Sequence, residues 1–112
     1  MSADASVRWA YLFEHPGAAP ERDRMVLDSG GVRSLLVAVP GTDAAPAVAA
    51  ALVRDEGVGL IELCGGFGSA DVAAVTAAVE GAASGVAVGH VVFGVDQVLA
   101  AAAYAAAASA TP

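Results

Sequence analysis

Four short apolar runs, each cut off by glycine or proline, constrain this chain more than any other feature. They span residues 8–13, 32–39, 58–63 and 86–93, and Pro16-Gly17, Pro40-Gly41, Gly65-Gly66 and Gly94 end them. Runs of this length rich in Val, Leu and Ile read as strands. The intervening segments carry apolar residues at helical spacing instead. Val48, Leu52 and Val53 mark a helix over 44–55, with Thr42 or Asp43 as its cap and Gly57 as its stop. Val72, Val75 and Val79 mark another over 71–80, and 96–109 is an alanine-rich helix of strong intrinsic propensity. A fourth short helix is expected over 20–28. Pro20 suits its first position, Glu21 and Asp23 its first turn, and Gly30-Gly31 would stop it. The order is therefore βαβαβαβα. Strands apolar on both faces imply an α/β fold: a small four-stranded, mainly parallel sheet with helices on both faces. One domain is expected over 1–112, with 1–7 as a flexible tail and 95–112 as the C-terminal alanine-rich helix.

Composition narrows the functional classes. Aromatic residues are 5% of the chain, so Ala, Val and Leu must fill the core. A net charge of −7 lacks the basic footprint that nucleic acid or an anionic membrane requires, so neither is an expected partner. No lysine occurs, which excludes a Schiff-base lysine and the lysine of a phosphate-binding P-loop. The single cysteine, Cys64, excludes an intrachain disulfide and a multi-cysteine zinc site. The longest uninterrupted apolar run, 98–108, falls short of the roughly 20 residues that span a bilayer. No signal pattern opens the chain, so a cytoplasmic location is expected, and the alanine-rich usage suggests a bacterial source. The smooth alanine face of the last helix permits close packing, on its own sheet or on another subunit, and a homo-oligomer is expected.

Residues suited to chemistry gather at the ends of the runs, where open α/β sheets bind ligands. Glu14 and His15 follow the first run; Glu62 and Cys64 lie in and just after the third; His90 lies in the fourth. A carboxylate within Leu60-Ile61-Glu62-Leu63 is poised for acid–base work if partly buried, or it pairs with an arginine such as Arg33 or Arg8. Cys64 precedes a glycine loop and a helix start, a setting that activates thiols, though free cysteine also serves as apolar filler. His90 is a base, an orienting group, a metal ligand or a satisfied core histidine. If the third and fourth strands are neighbours, Glu62, Cys64 and His90 converge when they share a face. These are the candidate catalytic residues. Gly65, Gly66, Phe67, Gly68 and Ser69 offer bare backbone N–H groups ahead of a helix, a ready anion site, with Glu14 and His15 beside it and Phe67 as a lid or contact. The same glycines also suit a plain tight turn. The loop lacks the spacing of a dinucleotide-binding fingerprint, and no cofactor or metal is expected.

Three segments together carry a resemblance: Trp9-Ala10-Tyr11-Leu12-Phe13-Glu14, Leu60-Ile61-Glu62-Leu63-Cys64-Gly65-Gly66-Phe67-Gly68 and Val86-Ala87-Val88-Gly89-His90-Val91. The chain resembles domain-of-unknown-function family 6506 from about Arg8 to Phe93, and the last helix is expected to extend beyond it. The resemblance implies that Glu14, Glu62, Cys64 and the glycines are hallmark positions and assigns them no roles. Three functions stand. One is a small enzyme of isomerase or lyase type acting on a carboxylate- or phosphate-bearing metabolite. Another is a non-catalytic sensor or carrier of such a ligand. The last is an oligomeric interaction protein with no small-molecule site.

Overall fold

The computed structural model describes residues 5–109. Its elements are β1 (Val7–Glu14), β2 (Arg24–Ser29), β3 (Val32–Val39), α1 (Ala45–Glu56), β4 (Leu60–Leu63), α2 (Ser69–Ala82), β5 (Ala87–His90) and α3 (Val98–Ser109). The five strands form one mixed sheet in the order β2-β3-β1-β4-β5. All neighbours are parallel except β2 and β3. The expected tail at 1–7 is only partly within the described residues. There, the Ser6 and Val7 N–H groups donate to Gly31 O.

The expected helix over 20–28 is a correction: it is a single turn followed by β2. The Arg22 and Asp23 N–H groups donate to Ala19 O, and the Ala19 N–H donates to the Asp23 carboxylate. That turn then opens into a strand. Ser29 pairs with Val32, so Gly30-Gly31 forms a two-residue hairpin loop with φ of 62° and 80°. Positive φ at both positions is the primed turn that matches strand twist, and glycine takes it at no steric cost. The sheet therefore has five strands rather than four, with an antiparallel edge.

The helices are the second correction. α1 and α2 pack side by side on one face only. Ala10 and Leu12 of β1, Leu35, Val37 and Val39 of β3, and Ile61 and Leu63 of β4 point to that face and are buried. They meet Ala45, Ala49, Leu52 and Val53 of α1 and Val75 and Val79 of α2. Neither Thr42 nor Asp43 caps α1 by a side-chain hydrogen bond; a 3-10 turn over Thr42–Ala44 leads into it, with Pro46 at its start. Gly57 ends α1 in the left-handed region, φ 69°, as expected. Arg33 ties the lower end of this layer together. It bonds to Asp28 at 2.9 Å and approaches Glu56 at 3.5 Å, while Arg8 donates to Glu56 O.

The other face is open. Its middle row runs across all five strands as Met25, Leu36, Tyr11, Glu62 and Gly89. The row below contains Leu27, Ser34 and Trp9, the last two joined by a 2.6 Å hydrogen bond from Trp9 Nε1 to Ser34 Oγ. Met25 and Leu27 are each 58% exposed, and Leu60 is exposed as well. α3 does not cover this face: none of its residues is buried. The molecule measures 45 Å along one axis and 25 Å along the others, since α3 extends away from the sheet. No described helix is long and apolar enough to cross a membrane.

Candidate functional site

The register decides which candidate residues meet. In a parallel pair, directly opposed residues share a face. Glu62 is opposite Tyr11 on one side and Gly89 on the other, so it stands on the open face. Cys64 is next on the same alternation, half-buried, with its N–H donating to Leu12 O. His90 is opposite Leu63, whose side chain is buried beneath the helices. β4 and β5 are indeed neighbours, yet Glu62 and His90 stand on opposite faces. His90 is exposed at the sheet edge.

Tyr11 joins Glu62 and Cys64. Its phenol titrates above the ordinary 10.0, because burial disfavours the phenolate and the charges of Cys64 and Glu62 add to that effect. It stacks on Phe13 with ring centroids 6.2 Å apart. Gly89 leaves open space beside Glu62: a methyl group there would touch nothing within 4 Å. Glycine within a strand often marks a place where a ligand or another backbone comes close.

Below this row lies an open hollow of about 650 Å³, whose lining includes Val7, Arg8, Trp9, Gly59, Leu60 and Glu62. Arg8 and Glu62 reach this hollow from opposite faces of the sheet: Arg8 shares the alternation of Ala10 and Leu12 and donates to Glu56 O, whereas Trp9, Leu60 and Glu62 belong to the open face. A second hollow of about 340 Å³ lies on the helix side, between Pro20-Glu21, Arg24 and α1.

At the strand ends, Glu14 comes against the glycine loop. A methyl on Gly66 would fall 2.5 Å from Glu14 Oε1 and 3.6 Å from Cys64 Sγ. Phe93 covers Gly65 in the same way, at 2.8 Å from a hypothetical methyl. Neither glycine has positive φ, and a side chain at either position would have to displace the end of the Glu14 or Phe93 side chain. The start of α2 is already capped: the Gly68 N–H donates to Asp71 Oδ2 at 2.9 Å. Ser69 opens α2 and is exposed, and Phe67 is buried in the core. His15 is exposed; its backbone N–H donates to Val39 O. The structure thus gathers Glu14, Cys64, Gly65 and Gly66 at one end of the sheet and Tyr11, Glu62 and Cys64 on its open face. Among the described residues, no three His, Cys, Asp or Glu side chains gather as a metal site would need.

Arg8, Trp9, Tyr11 and Leu60 escaped the sequence reading as site residues. Period-two alternation along β1 does place Trp9, Tyr11 and Phe13 on one face, but it does not say that the face is left open.

These features define an α/β domain whose mixed sheet is helix-covered on one side and presents an aromatic, acid-bearing surface on the other. Residues 7–106 match the model of a family of unknown function, DUF6506, and the chain belongs to that family. The match runs well into α3, so the last helix is part of the family's domain rather than an extension past Phe93. No curated protein and no solved structure matches the chain.

Proposed function

We propose that the protein binds a small anionic metabolite at the lower edge of the sheet, in the hollow that Arg8 and Glu62 both line. The observation that carries this reading is that Arg8, from the helix-covered side, and Glu62, from the open face, line one concavity with Trp9 and Leu60 as its apolar part. Arg8 would take a carboxylate or phosphate group, the fork geometry that arginine suits. Glu62 would accept a hydrogen bond from a hydroxyl or amine on the same ligand. Electrostatics favours this hollow over the glycine loop, where Glu14 stands against Gly66 and Asp71 already takes the Gly68 N–H. Where catalysis follows, Glu62 is the proton-moving group, with Tyr11 directly opposite it on the neighbouring strand, in an isomerase or lyase type of reaction.

The test is a thermal-shift panel of small hydroxy and amino acids and sugar phosphates, run on the wild type, Glu62→Gln and Arg8→Met. The expected result is a compound class that raises the wild-type melting temperature and loses its effect in both variants. Stabilisation retained in both variants, or no stabilisation by any class, refutes the reading.

A second reading, an oligomeric interaction protein without a small-molecule site, is favoured by one observation: the exposed apolar side chains Met25, Leu27 and Leu60 on the open face.

A further inference from the structure

Of the three α-helices described, α3 alone has no buried residue, and the open sheet face is left uncovered by α1 and α2. We propose that the two belong together across a dimer: α3 of a second copy lies on the open face, and the arrangement is reciprocal. Composition, exposure, dimensions, shape and polarity carry this. α3 holds no charged residue, and Val98, Leu99 and Tyr104 are exposed at 45%, 85% and 77%. A lone apolar helix of this length is marginal in water and needs a surface to pack on. Its own sheet is not that surface, because α3 extends the molecule to 45 Å instead of folding back.

Dimensions agree. Twelve residues make a helix about 18 Å long, and five strands make a sheet about 19 Å wide. Shape agrees also: a helix lined with alanine approaches closely, and Ala87 and Gly89 of β5 leave room for it beside Glu62. Polarity agrees last. Covering Glu62 with apolar surface is costly unless a donor meets it. Tyr104, in the middle of α3, is the only side chain short of the helix end that has a hydroxyl, and in the proposed dimer it supplies that donor to the Glu62 carboxylate of the other copy. A two-fold arrangement satisfies both copies at once and closes the assembly. Since the family's domain runs into α3, the arm belongs to the domain itself. The dimer covers Glu62, the carboxylate that the first reading above gives to a ligand, so it rests on the second reading, the oligomeric interaction protein, and light scattering tests it apart from the thermal-shift panel.

The test uses the full chain. Light scattering after gel filtration should give twice the 10.9 kDa of one chain. Leu99→Glu on the arm and Met25→Glu on the sheet should each weaken dimerisation at least tenfold. Both side chains are exposed within one chain, so circular dichroism should show the fold intact. Tyr104→Cys places a thiol on the arm, and Cys64 is the only native thiol. On mild oxidation the variant should form a covalent dimer that needs Cys64, as shown by its reduction in a Cys64→Ser background. A wild-type mass of one chain, a dimer indifferent to Leu99→Glu, or a crosslink confined within single chains would each overturn the proposal.

Discussion

Leu35 and Leu36 are neighbours in β3, alike in chemistry and opposite in environment. Leu35 is fully buried under α1 and α2, whereas Leu36 is half-buried between Met25 and Tyr11 on the open face. Leu35→Ala removes side-chain volume from a packed core and leaves a cavity, which costs about 2–5 kcal/mol. Leu36→Ala loses part of a transfer term and leaves no closed cavity, because solvent reaches the site; about 1 kcal/mol is expected. A 112-residue domain is stable by roughly 6–17 kcal/mol, so the first loss is severe and the second minor. Urea denaturation followed by circular dichroism measures both. With a slope of about 1–3 kcal/mol per molar urea, Leu35→Ala should lower the midpoint by one to several times more than Leu36→Ala does. The comparison is made at low protein concentration, where single chains dominate. Raising the concentration should leave the cost of Leu35→Ala unchanged and increase that of Leu36→Ala, since a second copy stabilises the folded chain by mass action. Equal costs at the lowest concentration would refute the one-sided sheet.

Three further outcomes follow from the geometry. Arg33→Met should destabilise by about 1–3 kcal/mol, because Asp28 and Glu56 lose their shared partner where the side chains are only 19% and 28% exposed; denaturant titration measures it. Ultraviolet titration in a Tyr104→Phe background should place the Tyr11 phenol above 10.0, and Glu62→Gln should lower it by removing one of the raising charges. Because the folded phenol holds its proton more tightly than the unfolded one, the associated stability is complete below pH 10 and is lost as pH rises through the folded value; Tyr11→Phe should lessen that alkaline loss. Two glycines should respond with opposite signs in melting experiments. Gly57→Ala forces a side chain to φ 69° and should cost about 1 kcal/mol, while Gly81→Ala, in α2 with nothing within 4 Å, should stabilise by about 0.5 kcal/mol.

Much of this architecture was legible in the chain. Strand and helix periodicities locate β1, β3, β4, α1 and α2 to within a few residues, because side chains facing a core must repeat every two or every 3.6 positions. The hairpin signal was also present and outweighed. Gly30-Gly31 between two apolar runs is the mark of a two-residue loop, but Pro20 and the acids after it resembled a helix start, and Met25-Val26-Leu27 suits either element. Pairing with β3 decides in favour of the strand, through backbone hydrogen bonds that no local propensity contains.

The candidate site divides along the same line. Glu14, Glu62, Cys64 and the glycines stand out as residues, since a carboxylate and a thiol beside bare backbone are chemically conspicuous in an apolar run. Their grouping does not. Glu62 meets Tyr11 and turns away from His90 because β4 lies between β1 and β5 in one register, and a shift of one residue would exchange the faces. Likewise, apolar residues on both faces of β1 and β3 imply that both faces need cover, which the sequence alone determines through the hydrophobic effect. Only the tertiary structure shows that α1 and α2 take one face and leave the other, with Trp9, Tyr11 and Glu62, bare. The sign and period of hydrophobicity are local quantities, whereas the side on which a helix lands depends on crossover geometry and on contacts between residues far apart in the chain.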